Sequence, residues 1–212
     1  MINVLIVEDQ RMPRESMEHM ITESGRYELA GSISSAELAI TKCRRQQVDL
    51  ILMDVCTSGN KDGIDAAAEI HREFPDTKII VITSMAEVSF LDRARKAGAD
   101  SFWYKDASPE TLMEVIDKTM SGEHLYPEKT PTVQIGMITS DDLTPAEIEV
   151  LRLVCEGMEY GEIAEKLLVS RNTVKSHISH ILQKTGYPNK IRLAIAVTNK
   201  KFIIPNRQDE GI

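Results

Sequence analysis

Leu50-Ile51-Leu52-Met53-Asp54 decides the reading of this chain: four apolar residues run into one carboxylate, and the loop-like Cys56-Thr57-Ser58-Gly59-Asn60-Lys61-Asp62-Gly63 follows. A run this short and this uniformly apolar reads as a strand buried on both faces of a parallel sheet. Three other runs share the pattern. Asn3-Val4-Leu5-Ile6-Val7 ends in Glu8-Asp9, Lys78-Ile79-Ile80-Val81-Ile82 in Thr83-Ser84, and Ser101-Phe102-Trp103-Tyr104 in Lys105. Ligands of open α/β sheets gather outside the carboxyl ends of the strands. One parallel sheet would therefore bring three acids, a hydroxyl and a lysine to a single charged site.

The stretches between these runs read as helices. Pro13 suits a first helical position, Met17, Met20 and Ile21 recur at i, i+3 and i+4, and Gly25 closes the segment. Residues 27–32 form a weaker strand, after which Ser34-Ser35-Ala36-Glu37 has the spacing of a capping box opening a helix to about Gln46. Helices are expected at 63–73, at 86–97 closed by Gly98, and at 109–121 behind Ser108-Pro109 and ended by Gly122. Five strand-helix units with right-handed crossovers give a doubly wound, flavodoxin-like (βα)5 fold, in the strand order 2-1-3-4-5.

Periodicity disappears over 123–142, where Pro127 and Pro131 mark a linker. Thr144-Pro145-Ala146-Glu147 then opens a helix ending at Gly157, residues 162–167 form a second, and Ser170 caps a third over 171–184 that Gly186 stops. A fourth spans 190–200, which completes a small all-α, four-helix domain. The expected division is 1–122, a linker at 123–142, a helical domain at 143–203 and a tail at 204–212.

Charge follows the same division. Residues 1–130 hold 15 Lys and Arg against 23 Asp and Glu, whereas residues 131–212 hold 10 of each. Residues 168–201 carry seven basic side chains and no acid, which predicts a basic surface on an acidic protein. Cys43, Cys56 and Cys155 are odd in number and form no CxxC, so neither a disulfide framework nor a zinc site is expected and a reducing cytosol fits best. No signal-peptide pattern opens the chain and no apolar run reaches the ~20 residues of a membrane span, so a cytoplasmic protein without a membrane partner is expected.

Carboxylates converging on one point repel one another, which makes a hard cation with oxygen ligands the natural resident. Mg2+ would take Asp9 and Asp54 directly, Glu8 through water, and a backbone carbonyl near Cys56. Asp54 would then be a nucleophile toward a phosphoryl group, with Lys105 and the Thr83 hydroxyl on its oxygens. Acids at strand ends also cap helices or simply face solvent, but the joint placement of all five residues favours a site.

With Glu8-Asp9, Asp54, Thr83 and Lys105 in register, residues 1–122 resemble the receiver domain of two-component response regulators. Residues 143–200 resemble the LuxR-type helix-turn-helix through Leu143-Thr144-Pro145, Glu147, Val150-Leu151, Gly157, Glu162-Ile163-Ala164, Ser170, Thr173-Val174-Lys175 and His177. The combination is that of the NarL/FixJ family. The resemblance implies phosphotransfer from a sensor histidine kinase to Asp54, dimerisation of the active form, and transcription control through a double-stranded DNA operator. It also places Phe102 at the switch aromatic, expected to turn inward on phosphorylation, and assigns the dimer contact of the second domain to the fourth helix, with Leu193 and Val197 as candidates. The family usually has Met-Pro after the acceptor and reaches Asp-Gly one residue sooner, so the loop at 56–62 is a departure. Lys105-Asp106 replaces the Lys-Pro of receivers generally.

A helix-turn-helix lays its second helix in the major groove, and phosphate contacts set its register. On helix 171–184 the stripe Val174, Ile178, Ile181 and Leu182 faces inward, leaving Asn172, Lys175, Ser176, Ser179 and Gln183 outward. Lys175, Ser176 and Ser179 are candidates for base edges, and Arg171, Asn172, Thr173 and Lys190 for phosphates. Two other readings compete. An aspartate-nucleophile phosphatase would need a second Asp two positions after Asp54, where Cys56 stands, so turnover as an enzyme is not expected. A DNA-binding regulator indifferent to phosphorylation would follow if the altered loop disabled the acceptor.

Overall fold

The computed structural model describes residues 1–59, 61–108 and 110–203; the tail expected at 204–212 lies outside them. The chain divides into two compact units, one of residues 1–84 and 89–129, the other of 130–212 together with Met85–Val88.

In the first unit, strands β1 (Ile2–Val7), β2 (Tyr27–Ile33), β3 (Leu50–Asp54), β4 (Lys78–Thr83) and β5 (Ser101–Tyr104) form one parallel sheet in the order β2-β1-β3-β4-β5. Helices α1 (Arg11–Glu23), α2 (Ala39–Arg45), α3 (Gly63–Glu73), α4 (Phe90–Lys96) and α5 (Leu112–Met120) alternate with the strands. The two-residue period of a strand sends Val4, Ile6, Leu50, Leu52, Ile80 and Ile82 to one face, where they pack with Met17 and Ile21 of α1 and Leu112, Val115 and Ile116 of α5. β3 is buried along its whole length, as expected of a strand covered on both sides.

Four helix starts in this unit differ from the sequence reading, the first being α1, which begins at Arg11 and makes Pro13 its third residue. Ser34-Ser35-Ala36-Glu37 opens a short 3-10 turn at Ala36–Leu38, entered from Ser35 without a side-chain cap, and α2 begins only at Ala39. The Glu37 carboxylate instead accepts the backbone N–H of Lys61 at 3.1 Å. α4 begins at Phe90, four residues later than expected. α5 is capped by a Thr111–Glu114 capping box, while the Ser108 hydroxyl accepts the Tyr104 N–H.

The interval expected to be a linker is mostly occupied by structure. Phe102 donates its N–H to Leu125 O at 2.8 Å, Leu125 donates to Ser101 Oγ at 3.1 Å, and the Tyr126 hydroxyl donates to Ala99 O at 2.8 Å. Residues 124–126 thus run along the open edge of β5, satisfying groups that an edge strand would otherwise leave bare.

The second unit begins with a hairpin of β6 (Gln134–Ile135) and β7 (Ile138–Thr139), and continues through α6 (Pro145–Cys155), α7 (Tyr160–Lys166), α8 (Arg171–Thr185) and α9 (Lys190–Asn199). The capping box foreseen at Thr144 and Glu147 is present, and buried Glu147 also meets Lys184 Nζ at 2.8 Å, tying the start of α6 to the end of α8. The hairpin is integral to this unit. Ile135 is fully buried with Leu143, Leu151, Ile181, Leu193, Val197, Phe202 and Ile203, and Met137 donates its N–H to Thr185 O at 3.0 Å. Gly136, at φ +62°, makes that approach possible, because an added Cβ would fall on the Thr185 carbonyl oxygen. No helix among the described residues is long and apolar enough to cross a membrane.

A fragment starting at Thr130 is expected to unfold cooperatively in urea, and Ile135→Ala within it to cost about 2–5 kcal/mol. A fragment starting at Ser140, which lacks the hairpin, should be weaker still. Equal circular-dichroism melts for the two fragments would contradict the structural role given to Ile135.

Candidate functional site

Strand register aligns the chemistry. Val7 pairs with Met53, Asp54 with Ile82, and Thr83 with Tyr104, so the ends of β1, β3, β4 and β5 come level. Glu8, Asp9 and Asp54 each bring a carboxylate oxygen within 4.8 Å of the others. Lys105 reaches between them, its Nζ 2.5 Å from Glu8 Oε2 and 2.8 Å from Asp54 Oδ1. Burial pushes the Asp54 carboxyl up to about 6, against the pull of Lys105. Burial also works to lower Lys105, but the charges and hydrogen bonds of Asp54 and Glu8 outweigh it and hold the ammonium above its ordinary value.

The donor set fits a hard cation. Asp9 Oδ1 is buried and no donor among the described residues reaches it, a costly state for a carboxylate oxygen unless something positive meets it. Glu8 is differently placed: Oε2 is taken by Lys105, and Oε1 accepts the Gln10 N–H at 3.0 Å. Asp54 Oδ2 accepts the N–H of Cys56 at 3.0 Å, so the loop behind β3 is anchored at its start to the Asp54 carboxylate. Thr83 is buried at the end of β4, and its carbonyl accepts the Lys105 N–H at 2.9 Å.

Two contributors escaped the sequence reading. Arg14 Nη1 donates to the main-chain carbonyls of Glu8, at 2.9 Å, and Asp9, at 3.3 Å, fixing the backbone that aims both acids. A cation one turn into α1, where the helix dipole disfavours positive charge, was the available signal. Gly63 is the other. Its N–H donates to Val55 O at 2.9 Å, and an added Cβ would land on the Asp54 carbonyl oxygen. Here the glycine serves close backbone approach, not turn geometry.

Phe102 corrects an expectation. It is only 2% exposed and packs on Tyr104, with ring centroids 4.9 Å apart, so the inward position expected after phosphorylation is already filled.

In the second unit, Ser170 Oγ accepts the Thr173 N–H at 3.0 Å and caps α8. Val174, Ile178 and Ile181 are buried, while Arg171, Asn172, Lys175, Ser176, Ser179, His180 and Gln183 are exposed. This is the acid-free polar face foreseen, with His180 added. Thr173 is half-buried. The basic surface is smaller than composition suggested, because Lys184 is held by Glu147 and Lys190 lies 3.2 Å from Glu159 Oε1 and 4.8 Å from the Tyr160 ring centroid.

Leu193 and Val197 are 1% and 0% exposed, members of the domain core, so they cannot meet a partner subunit. α9 is apolar on both sides. The side that faces out carries Ile191 and Ile195, at 64% and 53% exposure.

Family models match both units: a response regulator receiver domain over residues 4–117, and the bacterial regulatory proteins of the luxR family over 141–197. The chain belongs to the response regulators that join a receiver to a LuxR-type DNA-binding domain. Among curated relatives, the response regulator protein VraR of Staphylococcus epidermidis is 32% identical over 199 residues, covering 92% of this chain and 95% of its own. VraR of Staphylococcus aureus is 31% identical over the same extent. Among solved structures, RcsB from Salmonella enterica serovar Typhimurium, bound to promoter rprA in the presence of the phosphomimetic BeF3-, aligns with 93% of this chain and 98% of its own, at 25% identity and a TM-score of 0.63.

Gly63→Ala should destabilise the full-length protein by about 1–3 kcal/mol, because the added methyl meets main chain that cannot turn aside. Urea denaturation followed by circular dichroism measures it; an unchanged midpoint would contradict the close approach to Asp54.

Proposed function

We propose that Asp54 accepts a phosphoryl group from a sensor histidine kinase, and that the phosphorylated chain binds a double-stranded DNA operator as a homodimer through α8. The observation carrying this reading is the shared grip of Lys105 on Glu8 and Asp54 beside the uncompensated Asp9. Three carboxylates and one ammonium leave a formal charge of −2, which suits a divalent ion. Mg2+ held by Asp9, Asp54 and the Cys56 main-chain carbonyl, with Glu8 reaching through water, would supply charge neutralisation between the acceptor and the incoming phosphoryl oxygens. Asp54 is the nucleophile, and its attack on phosphorus forms the acyl phosphate as the bond to the donor breaks. Lys105 then exchanges its contact with Asp54 Oδ1 for a phosphoryl oxygen, and the Thr83 hydroxyl approaches another. With Phe102 already inward, the response passes through Thr83 and the backbone that follows it.

The residue two positions after Asp54 is Cys56, which supplies no carboxylic acid to protonate a leaving group.

For DNA, one helix-turn-helix offers little surface for tight specific binding, so a dimer on two half-sites is the expected species. RcsB has been seen as two dimers bound to two parallel DNAs. Ile191 and Ile195 of α9 supply the apolar face for the second copy, in place of Leu193 and Val197. Lys175, Ser176 and Ser179 are assigned to base edges, and Arg171, Asn172 and Thr173 to phosphates. Lys190 joins them only by giving up Glu159.

Operator affinity measured with and without acetyl phosphate and Mg2+ should rise on phosphorylation of the wild-type chain and stay flat in Asp54→Asn. An equal affinity in all states would favour the phosphorylation-independent alternative. Lys175→Ala should cost about 1–3 kcal/mol and relax base preference if it reads an edge, or weaken all sequences alike and flatten the salt dependence if it meets phosphate. Ile191→Asp should abolish paired half-site binding while leaving the single half-site complex; unchanged pairing would exclude α9.

A further inference from the structure

We infer that Glu37 and Thr57 are positioning residues for the cation site, acting through the loop that follows Asp54. The inference rests on the Mg2+ reading above. This loop carries the one main-chain ligand, the Cys56 carbonyl, and it is the segment where the chain departs from its family by one extra residue and no Met-Pro. It must therefore obtain its shape from something other than proline.

The structure shows the source. Thr57 Oγ1 accepts the Ala36 N–H at 3.0 Å, the Ser58 N–H donates to Ser34 O at 3.1 Å, and the Lys61 N–H donates to Glu37 Oε1 at 3.1 Å. Gly59, at φ +108°, lies against the same carboxylate, where a Cβ would come within 3.1 Å of it. The loop is thus stitched at residues 57, 58 and 61 to the turn after β2, and at its start to Asp54 Oδ2 through the Cys56 N–H. Only Val55 and Cys56, the latter carrying the proposed ligand, lie between Asp54 and the first stitch.

Mg2+ demands near-ideal octahedral geometry and tolerates little displacement of a ligand. Groups that orient a metal ligand without touching the metal commonly govern affinity by about tenfold or more. Glu37 has the chemistry for this role, because its carboxylate takes a loop N–H and packs on the loop's glycine without entering the acid cluster. Its position in an S-x-x-E spacing suggested a helix cap, and the structure spends it on the loop instead.

The test is Mg2+ titration of the full-length protein, followed by calorimetry and by the fluorescence of Trp103, the single tryptophan, which lines a cleft with Lys105. Glu37→Ala and Thr57→Val should each raise the Mg2+ dissociation constant about tenfold, with little change in the urea midpoint of the metal-free protein. Glu37→Gln, which keeps the Oε1 acceptor, should restore affinity near wild type. Wild-type affinity in Glu37→Ala overturns the inference, as does a loss in Glu37→Gln equal to that in Glu37→Ala, or a loss that appears only with a lowered metal-free midpoint. A wild-type chain that binds no Mg2+ at millimolar concentration fails the metal reading itself, a result distinct from variants that match a binding wild type.

Discussion

Lys105 between Glu8 and Asp54 is the contact on which the receiver depends. A buried carboxylate at the end of β3 is expensive unless it is paired, and a second one on β1 would make matters worse through like-charge repulsion. The ammonium, held 2.5 Å from one and 2.8 Å from the other, allows both to persist. It reaches that position because β5 ends level with β4, and β4 with β3. Strand register therefore decides whether these side chains meet at all. Any slip by one residue would turn Asp54 to the other face of the sheet and dissolve the site. Asp9 differs from both, because its buried Oδ1 meets no hydrogen-bond donor among the described residues.

The second unit follows a different economy. Its longest helix, α8, turns a polar face without acids to solvent, and the two ends of that helix are locked in place. Ser170 closes the N-terminus, while Lys184 to Glu147 and the hairpin contact to Thr185 hold the C-terminal turn. Lysines that counted toward a basic surface in the sequence are partly committed to these internal duties. The exposed Lys and Arg side chains left on α8 are Arg171 and Lys175, both near the start of the helix, next to its positive dipole end.

Four of the five strands, and the meeting of Glu8, Asp9, Asp54 and Lys105 at their ends, were legible because buried parallel strands leave a plain trace: short apolar runs, each followed or ended by a charged or hydroxyl residue. What the pattern could not supply was the destination of side chains with two plausible partners. Glu37 fitted a helix cap, yet a loop one residue longer than usual lay within reach and took it. α9 carries two apolar stripes, Ile191 with Ile195 and Leu193 with Val197; periodicity identifies both and cannot say which one the core selects. The hairpin was invisible because strands of two residues have no period, and its evidence was a glycine, Gly136, whose need arises from the carbonyl of Thr185, far along the sequence. Phe102 was assigned correctly to its place on β5, but its rotamer belongs to packing with Tyr104 and Tyr126.

The central claim is that the geometry at the sheet's carboxyl edge makes Asp54, and neither Glu8 nor Asp9, the group that takes the phosphoryl. Borohydride reduces an acyl phosphate to the corresponding alcohol, so treatment of the phosphodonor-exposed protein followed by peptide mass mapping marks the acceptor in the covalent chain. The account predicts homoserine at position 54 in the peptide that contains β3, dependent on phosphodonor and on Mg2+. Reduction at Glu8 or Asp9, or none at position 54 under conditions where phosphate is incorporated, would contradict it.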